Sequence, residues 1–144
     1  MADPMPEILV CDDDEDDLML LQDAFEETEL FPRPKLRCFQ SGNALLTHLQ
    51  GEDASRVAVI LLDLNMPGLD GREVLRALRA RPDVTPVVIF TTSQSPDDVS
   101  GAYQDGANSF IRKPASFESL VDVLRSLGAY WSDIVTVPAK VGRS

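Results

Sequence analysis

Soft metal ligands and redox pairs are nearly missing from this chain. Its 144 residues include two cysteines and one histidine. Cys11 and Cys38 fall in expected strands and lack the Cys-x-x-Cys spacing of a metal or redox centre. We read both as buried free thiols, since disulfides are rare in reducing compartments. His48 stands alone and offers no competing soft site. Basic residues are also scarce, 13 against 24 acidic ones, and the net charge is −11. Phosphate backbones repel such a surface, so nucleic acid is not an expected partner. Arg72, Arg76, Arg79 and Arg81 recur along one expected helix and read as a solvated face. No apolar run nears the roughly 20 residues that span a bilayer. The segment Met1 to Glu7 has neither the basic region nor the apolar core of a signal peptide. The expected location is the cytoplasm, away from membranes.

The chain does contain short apolar runs alternating with amphipathic stretches. Expected strands are Ile8 to Cys11, Leu36 to Phe39, Val57 to Leu62, Val87 to Phe90 and Ser109 to Arg112. Val57-Ala58-Val59-Ile60-Leu61-Leu62 reads as a central strand buried on both faces. Helices are expected from about Asp14 to Glu29, from Ser41 through His48 and Gln50, and from about Arg72 to Ala80. A fourth begins at Ser95-Pro96-Asp97-Asp98, with Ser as cap, Pro in the first turn and acids following, and ends near Gly106. A fifth follows Ser116 and reaches Tyr130. Phe31-Pro32-Arg33-Pro34 breaks the first helix, and Pro82 follows the third. Five strands alternating with five helices imply a parallel sheet covered on both faces, a doubly wound α/β sandwich. Residues 1–144 are read as one domain with a core over 7–130. Residues 131–144 form a C-terminal extension outside the repeating pattern.

In such a sheet all strand C-termini share one edge, where open α/β sheets do their chemistry. The first strand ends in Asp12-Asp13, the third in Asp63, the fourth in Thr91-Thr92 and the fifth in Lys113. Carboxylates brought close repel one another, and a divalent cation relieves that repulsion. Hard oxygen ligands point to Mg²⁺ rather than Zn²⁺. Asp14, Glu15, Asp16 and Asp17 read instead as acids favoured by a helix dipole. A carboxylate beside Mg²⁺, a hydroxyl and a lysine suits phosphoryl transfer. Asp63 would attack as nucleophile and form an acyl phosphate, with Thr91 and Lys113 on the phosphoryl oxygens.

These residues, with Met66-Pro67, Asp70-Gly71 and Lys113-Pro114, make residues 7 to 130 resemble the receiver domain of two-component response regulators. The resemblance implies a flavodoxin-like fold of strand order 2-1-3-4-5; a chemotaxis receiver is the standard example of that order. It implies that Asp63 is the phosphoacceptor, fed by a histidine kinase. It implies that Asp13, Asp63 and the backbone carbonyl of Asn65 bind Mg²⁺, with Asp12 acting through metal-bound water. Thr91 and Phe110 become the switch positions, and Asn65 shapes access of the water that removes the phosphoryl group. Such a protein phosphorylates and dephosphorylates itself without being a turnover enzyme. Thr91-Thr92-Ser93, Pro96-Asp97-Asp98 and Ala129-Tyr130-Trp131 look like stand-alone regulators paired with phytochrome-type kinases. In that group Tyr130 and Trp131 would lie in a homodimer interface, or fold back over the domain's own core. The competing readings are a receiver unconnected with light, an unphosphorylated receiver-like adaptor, and an Asp-nucleophile phosphohydrolase. Against the last, Asn65 stands where a second catalytic carboxylate would be needed.

Overall fold

The computed structural model describes residues 7–29, 35–50, 57–66, 68–81, 85–93 and 95–129. Five strands, β1 (Glu7–Cys11), β2 (Lys35–Phe39), β3 (Val57–Leu62), β4 (Val87–Thr91) and β5 (Ser109–Arg112), form one sheet. Between and after them run α1 (Glu15–Glu27), α2 (Gly42–Leu49), α3 (Gly71–Arg79), α4 (Pro96–Gln104) and α5 (Phe117–Ala129). The order is β2-β1-β3-β4-β5 and every pairing is parallel, the flavodoxin-like arrangement expected. Pro67, Tyr130, Trp131 and the C-terminal extension lie outside the described residues.

Alternation along each strand builds two cores. Leu9, Ile60, Leu62, Val87 and Ile89 face the layer containing α2, α3 and α4. Ile8, Val10, Leu61, Val88 and Phe90 face α1 and α5. Central strands covered on both sides tolerate no polar face, which is why β3 is aliphatic throughout.

The helix starts follow side-chain chemistry. Asp14 accepts from the N–H groups of Asp16 and Asp17 and caps α1. Ser41 accepts from Ala44 N–H and caps α2; Ser95 accepts from Asp98 N–H and caps α4. Ser119 N–H donates to Ser116 Oγ at 3.1 Å, as expected for the fifth helix. Asp70 and Glu73 form a reciprocal capping box on α3.

Three readings need correction. Helix α1 stops at Glu27 rather than Glu29, because the Thr28 hydroxyl donates to the Phe25 carbonyl at 2.6 Å and Glu29 adopts φ 57°. Cys38 is half-buried, not buried like Cys11, and receives a bond from Gln22 Nε2 at 3.3 Å. The α3 arginines are not simply a solvated face. Arg72 pairs with Asp105 at 2.7 Å, Arg81 donates to the Leu49 carbonyl, and Arg79 donates to the carbonyls of Gly106 and Thr85 and to Asn108 Oδ1.

Candidate functional site

Sheet hydrogen bonding continues one residue past the strands and fixes the edge. Asp12 N–H donates to the Phe39 carbonyl, Asp63 N–H to the Cys11 carbonyl, and Lys113 N–H to the Thr91 carbonyl, at 3.0, 3.0 and 2.8 Å. The backbones of three site residues are therefore held by neighbouring strands. Asp14 N–H also holds Asp12 Oδ1 at 2.9 Å.

Below Asp63 the fit is close. A Cβ added at Gly71 would lie 2.2 Å from the Asp63 carbonyl oxygen and 2.6 Å from the Leu64 Cα. Gly71 N–H donates to the Leu64 carbonyl at 3.1 Å. Only glycine allows α3 to start this near the acceptor loop.

The structure brings the expected side chains together. One oxygen each of Asp12, Asp13 and Asp63 lie within 4.8 Å of one another, so the trio could hold a divalent ion. All the donors are hard carboxylate oxygens, which suits a hard divalent cation. Asp12 and Asp63 are 4% and 6% exposed, whereas Asp13 is open to solvent. Lys113 reaches across the edge with Nζ 2.5 Å from Asp12 Oδ2 and 3.3 Å from Asp63 Oδ2. Thr91, fully buried, meets Asp63 through Asn65. Asn65 N–H donates to Asp63 Oδ1 at 3.2 Å, and its side-chain Nδ2 donates to Thr91 Oγ1 at 3.4 Å. Phe110 pairs in register with Ile89, two residues before Thr91, and packs half-buried on the α2-α3-α4 side.

Burial and charge set the protonation states. Burial is the main force raising the Asp12 carboxyl above its usual range, opposed by the hydrogen bonds from Lys113 and Asp14. Burial pulls the Lys113 ammonium down, but its bonds to Asp12 and Asp17 and the charge of Asp63 outweigh this and hold it protonated. Burial first, then Asp12, Asp63 and Asp13, push the Cys11 thiol up to about 12. Cys11 is thus an uncharged floor, with Sγ 3.7 Å from Met66 Sδ.

One member was missed from sequence. Asp17 Oδ2 lies 2.9 Å from Lys113 Nζ. In sequence it is one of several acids in the first turn of α1. The available signal was directional: side chains in a helix lean toward its N-terminus, which here is the strand-end edge. Asp12, Asp17 and Lys113 also line one wall of a crevice of about 300 Å³ that runs on past Leu20, Phe90 and Leu120.

Sheet order and edge chemistry together define a class: flavodoxin-like α/β domains with an acidic edge and a lysine facing it. Residues 8–125 match the family model described as the response regulator receiver domain, and the chain belongs to that family. Response regulator Rcp1 of Synechocystis sp. is 33% identical over 144 residues, covering 96% of this chain and 97% of Rcp1. The crystal structure of Mn²⁺-bound Rcp1 superposes with a TM-score of 0.77 at 34% identity, covering 93% and 99% of the two chains. Phosphorylated RcpA, a cyanobacterial phytochrome response regulator, gives 0.83 at 30% identity over 94% and 99%. A response regulator in red light signalling of R. palustris gives 0.81 at 31% over 93% and 99%. Receivers of this family interact with histidine kinases and bind divalent metals; the protein is a signalling protein. None of the helices among the described residues is long and apolar enough to cross a membrane.

Proposed function

We propose that this protein is a stand-alone phosphorylation switch with Asp63 as phosphoacceptor. A carboxylate oxygen of Asp63 attacks the phosphorus of a kinase phosphohistidine. The P–N bond breaks, its electron pair stays on the imidazole, and an acyl phosphate forms on Asp63. One observation carries this reading: Asp63, nearly buried, shares an edge with two further carboxylates and with the ammonium of Lys113. Mg²⁺ held by Asp12, Asp13, Asp63 and the carbonyl of Asn65 would neutralise charge on the phosphoryl oxygens. Lys113 turns its Asp63-facing N–H toward one phosphoryl oxygen, and Thr91 donates its hydroxyl to another.

The switch follows from what Thr91 leaves behind. Thr91 is buried and tied to Asn65. Drawn toward the phosphoryl group, it frees volume on the face that Phe110 shares. Phe110 turns inward, and the surface of α4, β5 and α5 changes its partner preference. The output is a protein contact or an onward phosphoryl transfer in the cytoplasm, with no nucleic acid or membrane involved. Similarity to RcpA, a cyanobacterial phytochrome response regulator, supports a phytochrome-type kinase as donor. A homodimer that uses Tyr130 and Trp131 is proposed on their residue type alone, since large aromatics are enriched at interfaces.

Phosphotransfer from a panel of purified histidine kinases of the host tests this. We expect rapid labelling by a photosensory kinase and none of an Asp63→Asn variant. Preference for a kinase without a photosensor would remove the light-signalling assignment; labelling of Asp63→Asn would remove the acceptor assignment.

A further inference from the structure

Lys113 has three N–H bonds to give, and the edge uses all three on carboxylates. Nζ lies 2.5 Å from Asp12, 2.9 Å from Asp17 and 3.3 Å from Asp63. Two of those acceptors have a competing demand. Asp12 and Asp63 belong to the trio whose oxygens converge within 4.8 Å, and Asp17 does not. A divalent ion on the trio would repel the ammonium while drawing on the same oxygens. The Asp17 backbone is fixed, since its N–H is held by the Asp14 cap at 3.2 Å. The Asp17 side chain is 40% exposed, so it can stay charged without an ion of its own, while the ammonium it holds is 13% exposed.

We propose that Asp17 is a positioning residue: it is the carboxylate that retains Lys113 at the edge once a divalent ion engages Asp12 and Asp63. It acts through Lys113 and does not touch the ion or the phosphoryl group. This rests on the metal-binding reading of the edge. Without Asp17, the carboxylates left to Lys113 among the described residues are the ion's own ligands, Asp12 and Asp63. Lys113 then competes with the ion for them, and metal loading weakens.

Calorimetric titration of Mg²⁺ into the full chain at 0.15 M salt tests this without any phosphorylation step. The proteins are wild type, Asp17→Asn, Lys113→Met and the double variant. Asp17→Asn should weaken Mg²⁺ binding by about fivefold or more, within the range usual for coupled sites. In the Lys113→Met background the same change should have less than about a twofold effect, because a solvent-screened charge acting directly on the ion is weak. Equal losses in both backgrounds would mean that Asp17 contributes only charge, and would overturn the proposal. So would an Asp17→Asn protein that binds like wild type. A wild type that takes up no Mg²⁺ would overturn the metal reading itself, and this proposal with it.

Discussion

At Gly71 the absence of a side chain decides how near helix α3 can come to Asp63. The smallest side chain there would stand 2.2 Å from the Asp63 carbonyl oxygen, a distance that real atoms do not hold. Gly71→Ala must therefore shift the acceptor loop. Overpacking of this kind costs about 1–3 kcal/mol. Urea unfolding should show that loss, together with weaker Mg²⁺ binding; unchanged values for both would refute the close fit. Cys11 gives a second residue-level prediction. An unfolded cysteine thiol ionises near pH 9, while in the fold Cys11 keeps its proton up to about 12. Between those values the unfolded state holds fewer protons, so stability falls as pH rises, by at most about 1.4 kcal/mol per pH unit. Below pH 9 this contribution is fully present. Urea unfolding from pH 8 to 10.5 should show a flatter slope for Cys11→Ala than for wild type, whatever the variant loses at neutral pH. Equal slopes would mean that Cys11 ionises as readily folded as unfolded.

Secondary-structure elements are joined by contacts that cross between them, and α3 shows the difference this makes. Arg79 ties α3 to the turn after α4 through Gly106 and Asn108, and to the approach to β4 through Thr85. Arg76 is 55% exposed and lies 3.9 Å from Asp105. Arg79→Ala should cost roughly 2–3 kcal/mol because it strips a charged donor from several acceptors. Arg76→Ala should stay within about 0.5 kcal/mol. Thermal or urea unfolding of the two variants checks the contrast, and similar losses would contradict it. The same contrast shows what sequence could reveal. Ser41, Ser95 and Ser116 mark helix starts because a cap is a local hydrogen bond. The aliphatic run Val57 to Leu62 marks a central strand because both of its faces must be apolar. Four strand ends place Asp12, Asp13, Asp63, Thr91 and Lys113 on one edge because parallel topology leaves no other arrangement. The contacts of Arg72 and Arg79 are not legible in sequence because an arginine facing solvent and one facing a neighbouring helix look alike in one dimension. Asp17 was missed for the same reason. It sits among acids that a helix dipole explains, and its partner is 96 residues away.

For the whole molecule, the sheet converts distance in sequence into proximity. Asp12 and Lys113 are 101 residues apart and in direct contact. The order β2-β1-β3-β4-β5 puts β1 beside β3 and β4 beside β5, so the acids gather on one side of the edge and Thr91 and Lys113 adjoin them. Similarity to Rcp1 over nearly the whole of both chains shows that this arrangement belongs to a family of signalling receivers. The whole arrangement serves one carboxylate, that of Asp63. Incubation with acetyl phosphate, followed by peptide mass spectrometry under conditions that preserve acyl phosphates, locates the acceptor. One phosphoryl group is expected on Asp63, formed only with Mg²⁺ and lost in Asp63→Asn. A phosphoryl group mapped to any other residue, or undiminished in Asp63→Asn, would show that Asp63 is not the acceptor.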